Sequence, residues 1–309
     1  MESVEKGWTV RHPRLEDARE ITDMIALCDV EDYGVPDITL EDLLEAWSFI
    51  NYETDAWVAI ASNGKIAGYA FVEKRGADRI DGCVFEHPEY ADAEVGTQLL
   101  SLAEARAAHY AESNAGMRFI QQVAYANQKA RRRLESGGYT FVRLYERMVA
   151  DLNDLPGEVA SLPAGLILRS FVPDRDERAL YETYTDSFRD CWGYCPAEYD
   201  EWIRERKGER YDPALWFIVW AAEKPAAFLL GNIQEDGLFI ELLGVKREWR
   251  GRGIGLALLQ RAFEIGRKRG QTSVMLNVDS DSLTGANFLY AKAGMRPAFQ
   301  IALYAKTLN

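Results

Sequence analysis

The chain has 309 residues, 48% hydrophobic and 28% charged, a composition that fits two ordinary globular domains and excludes a disordered or fibrous polypeptide. Its net charge of −13 speaks against nucleic acid as a partner and is otherwise read as solubility charge or a mild attraction for cations. No apolar run approaches the roughly 20 residues that cross a bilayer, and the opening MESVEKGWTV is not a signal peptide, so no membrane partner and a cytoplasmic location are expected.

In chain order, the first half begins with a short strand at WTVRHP from Trp8, followed by a helix, a loop and a second helix. Two β-rich runs follow, AWVAIA and IAGYAFVE, and then a third, IDGCVFEHP. A long amphipathic helix is expected over about Ala91–Glu112, then the strand FIQQVAYA, a short helix and a closing β-run. Asp151–Gly165 (DLNDLPGEVASLPAG) lacks apolar periodicity and reads as a linker. After it the same order returns: LILRSFVP from Leu166, two helices, LWFIVWAA, AAFLLGNI, GLFIELLGV, a helix over Gly253–Arg269, SVMLNVD, a short helix and a last β-run. Trp57 and Trp216, like Gly68 and Ala227, keep one constant offset, the mark of an internal repeat. The expected fold is α/β, an α+β arrangement with a central mixed sheet flanked by helices in each of two tandem domains, 1–150 and 166–309, joined by 151–165.

The four cysteines (Cys28, Cys83, Cys191, Cys195) do not form a disulfide framework in a chain of this size. Cys191 and Cys195 lack a second ligand pair, and no histidine follows His109, so no metal is expected.

The chemistry concentrates in EWRGRGIGLALL (Glu248–Leu259), where a strand ends and a helix begins with almost no side-chain bulk. Gly251, Gly253 and Gly255 let a bulky anion approach the backbone, the unpaired first N–H groups of the helix lie at its positive end, and Arg250 and Arg252 add charge. A pyrophosphate site is the physical inference. A Walker loop needs Gly-Lys-Ser/Thr where GIGL stands, and a Rossmann fingerprint needs G-x-G-x-x-G after the first strand of a parallel unit, so neither fits.

These residues resemble the acyl-CoA motif of the GNAT superfamily of N-acetyltransferases, with Arg250, Gly253 and Gly255 in its marked positions. A second segment, SLTGANFLYAKAGM (Ser282–Met295), resembles that family's Asn-x-Thr-Gly-Ala-x-x-Leu-Tyr-x-x-x-Gly-Phe/Met signature. The usual Asn is Ser282 here, which can still cap a helix. The tandem plan is similar in architecture to that of mycothiol synthase and related two-domain acyltransferases.

The resemblance implies acetyl-CoA as co-substrate, contacted by Leu243, Val245, Arg250, Gly251, Arg252, Gly253, Ile254, Gly255 and Ser282, and direct acetyl transfer to an amine. It puts Tyr290 in the role of general acid for the leaving thiolate. With no histidine in this half, a carboxylate is the natural base. Glu241 stands in an apolar strand, where Phe239, Glu241, Leu243 and Val245 would share one face by alternation. It is read as base, substrate anchor or structural ion-pair member, with Asp186 and Asp190 as weaker candidates. Trp192, Tyr194, Tyr199 and Trp202 lie among Asp186, Asp190, Glu198 and Asp200, a mixture that suits a small cationic amine or simply packs helix on sheet.

The first half puts Ala91 where Arg250 stands, Glu94 where Gly253 stands and Leu134 where Tyr290 stands. Its helix end would be satisfied by Glu94 or Asp92, and this half is expected to be non-catalytic. The expected activity is N-acetylation of a small amine. Acetylation of a protein or peptide, and acyl-CoA binding without catalysis, remain alternatives. The assembly is expected to be a monomer that forms an internal pseudo-dimer, or a homodimer.

Overall fold

The computed structural model describes residues 7–76, 78–90, 94–112, 116–155, 157, 160–194, 197–235, 237–282 and 284–308. Ala91, Asp92 and Cys195 lie outside these, so the expectations placed on them have no structural counterpart. The chain divides into two compact units, Met1–Tyr145 with Phe299–Asn309, and Glu146–Ala298.

The first unit contains β1 (Trp8–Arg11), α1 (Ala18–Tyr33), α2 (Leu40–Ser48), the single turn α3 (Tyr52–Asp55), β2 (Ala56–Ala61), β3 (Ile66–Arg75), β4 (Arg79–Glu86), α4 (Val95–Ala111), β5 (Arg118–Ala124), α5 (Gln128–Ser136) and the start of β6 (Thr140–Asp151). β1 to β4 form an antiparallel meander, and β4 then pairs parallel to β5, with α4 as the crossover. Period-two alternation sorts β2 between two cores. Trp57, Ala59 and Ala61 face α4, while Ala56 and Val58 face α1 and α2. The buried face of α4 mixes small residues, Gly96, Ala103 and Ala107, with Val95, Leu99 and Leu100. It lies so close to the sheet that a Cβ on Gly68 would sit 2.8 Å from Leu99.

The second unit contains the end of β6, β7 (Leu166–Ser170), α6 (Glu177–Phe188), α7 (Tyr199–Arg206), β8 (Phe217–Ala221), β9 (Lys224–Gln234), β10 (Gly237–Val245), α8 (Ile254–Lys268), β11 (Ser273–Asp279), α9 (Ala286–Lys292) and the start of β12 (Arg296–Thr307). β7 to β10 repeat the antiparallel meander, and β10 pairs parallel to β11 across α8. One core lies under α8 (Leu258, Leu259, Ala262 and Phe263 against Val219, Leu229 and Leu238), the other under α6 and α7 (Leu180 and Trp202 against Ile218 and Phe228). Burying each of these large side chains contributes about 2 kcal/mol. The mixed α/β class read from the sequence is therefore the observed one.

Packing cuts the chain differently from the sequence repeat. β12 pairs with β5 from Ile301↔Ala124 to Thr307↔Arg118 and buries Ala302, Tyr304 and Leu308 in the first core. Met148 and Ala150 of β6 bury in the second. The expected linker 151–165 is laid on the second unit. Leu152 is fully buried, Leu155 and Leu162 pack on the same core, and Ala160 N donates to Gln260 Oε1 at 2.7 Å. Its three leucines supply the apolar contacts that its prolines and acidic residues hide in the sequence.

Candidate active site

The site is built where β10 loses regularity. Its register with β9 shifts between Ile240 and Leu242, leaving Glu241 as the extra residue of a β-bulge. The bulge exchanges the faces of the strand. Leu238 and Ile240 before it and Leu243 and Val245 after it all pack on the α8 core, while Leu242 packs on the α6 side. The expected shared face of Phe239, Glu241, Leu243 and Val245 is thus incorrect, because one inserted residue reverses the alternation. β10 pairs with β11 only at Leu238↔Val274 and Phe239↔Met275. From Glu241 onward no ladder joins the two strands, so a cleft opens between them.

Beyond the cleft lies the glycine turn. Gly251 and Gly253 have φ of 72° and 79°, and a Cβ at either would meet nothing within 4 Å. The left-handed backbone and the empty space above it are what require glycine here. Gly255 answers a different demand, since its Cβ would lie 2.8 Å from Leu289 Cδ2. It lets α9 pack on the first turn of α8. Gly253 is the N-cap and offers no side chain, and no described residue accepts from the N–H of Ile254, Gly255 or Leu256. Unpaired N–H groups at a helix N-terminus are suited to binding an anion.

The arginines are placed less freely than expected. Arg250 donates through Nε to Val245 O (3.1 Å) and through Nη2 to Ser187 O (3.0 Å), tying the turn to the ends of β10 and α6. Arg252 donates to Glu248 O at 3.1 Å and lies over the Trp249 ring. Ser282 does not cap α9. Its hydroxyl pairs with Thr284 Oγ1 at 2.9 Å, and the N-cap is Gly285 at φ 70°.

Tyr290, on α9, is 7% exposed. Burial pushes its phenol up to about 12, and the neighbouring Cys191 thiol adds to the rise. Cys191 is itself raised, by burial first, while Arg250 acts in the opposite sense. Cys191, exposed at the surface, is thus within electrostatic reach of both the acid candidate and Arg250 of the turn. Spacing gave no hint of that, because the loop carrying it comes from a distant part of the sequence.

On the other side of the cleft, Asn232 Nδ2 donates to Glu241 Oε1, and Arg206 Nη1 lies 3.6 Å from Glu241 Oε2. Asn232 is buried, and its Oδ1 and Arg206 Nε have no partner among the described residues. Neither Asn232 nor Arg206 was a sequence candidate. Tyr184 ties this trio to the rest. Its ring lies 5.0 Å from Trp202 and 5.9 Å from Tyr194, and its phenol, raised by burial, is held back by Arg206.

The other candidates separate. Asp186 pairs with Arg189 at 3.4 Å and Asp190 with Arg247. Tyr199 donates to Glu177 and packs edge-on against Tyr181, while Trp202 belongs to the core. Trp192 is half-buried. No group of three or more His, Cys, Asp or Glu among the described residues could hold a metal.

The equivalent place in the first unit is closed. β4 has no bulge against β3 and pairs with β5 over Arg79–Cys83. Glu94 is the left-handed N-cap of α4 at φ 55°. Glu94 makes no side-chain cap bond, contrary to the expectation, and the alternative placed on Asp92 lies outside the described residues. Glu86 Oε1 takes the Gly96 N–H at 3.2 Å instead. Arg133 (2.8 Å) and Lys129 (3.4 Å) hold that carboxylate in place. The reason is reach, since Glu86 ends β4 directly under the helix.

Residues 177–295 match the profile of the Acetyltransferase (GNAT) family. A mycothiol acetyltransferase of Kineococcus radiotolerans is 32% identical over 79% of this chain and 78% of its own. The crystal structure of a GCN5-related N-acetyltransferase from Sphaerobacter thermophilus, 32% identical, superposes with a TM-score of 0.87 over 98% of this chain and 96% of that one. A tandem GNAT protein from the clavulanic acid biosynthesis pathway shares the fold at 14% identity, with a TM-score of 0.75 over 98% and 99% of the two chains. A cleft between splayed strands beside a bare helix end defines a class of acyl-CoA-dependent acyltransferases. The chain belongs to the GNAT family and is an N-acetyltransferase of that kind.

Proposed function

We propose that the second unit transfers an acetyl group from acetyl-CoA to the primary amine of a small molecule, which enters as a cationic ammonium group. The observation that carries this reading is the open α8 turn, with its bare N–H groups and left-handed Gly251 and Gly253, beside the enclosed Tyr290. These residues fit acetyl-CoA. The N–H groups of Ile254, Gly255 and Leu256 would hold its diphosphate, and the free edge of β10 beyond Phe239 would hold its arm. When bound, acetyl-CoA supplies the activated acetyl group.

The chain's own residues then meet three demands. An alkylamine of pKa near 10.4 is neutral only about once in 2,500 molecules at pH 7, a cost of about 4.6 kcal/mol. Glu241 takes the ammonium proton, directly or through water, while Asn232 fixes its carboxylate. A backbone N–H at the open edge of β10 polarises the carbonyl. Tyr290, neutral at working pH, gives its proton to the departing thiolate. The first unit, with Glu86 across its helix end, serves as structure and not as a second catalyst.

The relatives' name makes a mycothiol-type acceptor the first to try. Calorimetry with CoA and a thiol-release assay across small amines test the reading. Binding with amine-dependent release supports it, and absence of CoA binding overturns it.

A further inference from the structure

We infer that the acceptor is an amino acid, an amine with a carboxylate on the same or the adjacent carbon, read by Arg206 together with Glu241 and Asn232. The inference rests on the acetyl-transfer reading and names its substrate class. Among the described residues, the Glu241 carboxylate is met by one guanidinium, Arg206, and one amide, Asn232, while Asp186 and Asp190 are engaged by Arg189 and Arg247. Such a trio is electroneutral. A simple cation would meet the repulsion of Arg206 along with the attraction of Glu241, so excess positive charge gains little there.

The unused hydrogen-bonding capacity of the trio is of two opposite kinds. Asn232, 5% exposed, keeps an unpartnered acceptor in Oδ1, and Arg206 keeps an unpartnered donor in Nε. An enclosed polar atom without a partner is costly and marks a place where a ligand group completes the site. An ammonium group answers Oδ1 and Glu241. A carboxylate answers the guanidinium edge, whose planar fork it matches. Arg206 Nη1 and Glu241 Oε2 are 3.6 Å apart, so the groups that bind them must also be neighbours, as they are in an α- or β-amino acid. Arg206 is held for this task from the side, with the Trp202 ring beneath its guanidinium at 5.8 Å.

The reaction balances in the ordinary way. The ammonium loses one proton to Glu241, the neutral amine forms the N–C bond, the S–C bond breaks, and the thiolate takes the proton of Tyr290. The second proton, released from the acylated nitrogen, restores the phenol, and Glu241 passes its proton to water. Arg206 faces the acceptor's carboxylate and the Glu241 carboxylate (3.6 Å) and itself transfers no proton.

The test is a set of matched acceptors, phenylalanine against phenethylamine and leucine against isoamylamine, assayed with wild type, Arg206→Met and Arg206→Lys. Wild type should prefer each amino acid over its decarboxylated amine by about 100-fold or more in kcat/KM. Arg206→Met should lower kcat/KM for the amino acids at least about tenfold more than for the matched amines, and Arg206→Lys should restore part of the preference. Equal use of both members of each pair, or an equal loss on all acceptors in Arg206→Met, overturns the inference. Failure of the acetyl-transfer reading would appear separately, as loss of CoA binding by the wild type in calorimetry.

Discussion

Glu94 and Gly253 occupy the same left-handed N-cap position, at φ 55° and 79°, each opening the long helix of its own unit. The left-handed cap is common to both copies, and what surrounds it differs. In the second unit the space above the cap is empty. In the first, Glu86 accepts from the helix end and Arg133 holds it there.

Gly253→Glu tests what that emptiness does. The first unit already accommodates glutamate in this conformation, so the variant should fold, at a cost of about 1–2 kcal/mol for a left-handed L-residue. Its carboxylate should raise the Kd for CoA at least about tenfold, by placing like charge at the diphosphate. Calorimetry and urea unfolding measure the two effects. An unchanged Kd would remove the turn from the site.

Glu86→Gln probes the closed copy. Glu86 and Arg133 are 9% and 12% exposed at their side chains, so neutralising one leaves the other charge enclosed and unpaired. Unfolding should become easier by about 3 kcal/mol, with CoA binding by the whole protein unchanged. Denaturant midpoints and calorimetry check this. New CoA stoichiometry would mean that the carboxylate had been excluding ligand rather than holding structure.

Gly255→Ala should act through packing. Its Cβ would meet Leu289 at 2.8 Å, one residue from Tyr290, and α9 would have to move. A loss of about 1–3 kcal/mol in stability and a lower kcat are expected. Adding Leu289→Ala should recover both in part, and steady-state kinetics of the double variant would reveal any failure to do so.

Tyr290→Phe should leave CoA affinity intact and lower kcat by about 100-fold or more. With its phenol pushed up to about 12, the wild type should keep its acid through pH 10 and lose it only as pH approaches 12. The sign for stability is the same. The raised folded value means that the neutral phenol's contribution is whole below about 10, where the unfolded phenol ionises, and is lost as pH climbs through 12. In Tyr290→Phe that increment of alkaline sensitivity should vanish from pH-dependent unfolding curves. Full turnover in the variant would assign the proton to another group.

Local features were legible in the sequence. The open turn at GRGIG could be read locally because glycine spacing and a following apolar helix are short-range facts. Tyr290 was legible from its distance to Gly294 and Met295. Arg206 and Asn232 were not, since each is an ordinary residue on an ordinary helix or strand, and only the folding of α7 over the sheet brings them to Glu241. Asp186 and Asp190 read as weaker base candidates in the sequence, where their ion pairs with Arg189 and Arg247 cannot be seen. The bulge was invisible for a different reason: GLFIELLGV alternates well enough to pass as a regular strand, and the inserted residue is defined only against the register of β9.

By itself, then, the sequence determined the repeat, the mixed α/β class, the open turn in one copy and its absence from the other, all of which depend on residues close together along the chain. Tertiary structure alone decided that Glu86 would close the first helix end, that β12 would complete the first unit's sheet, and that a guanidinium would share Glu241. Those outcomes depend on which distant side chains meet once apolar faces are buried. The energies that choose among such meetings are differences of a few kcal/mol between whole packings, and they are not written at any single position.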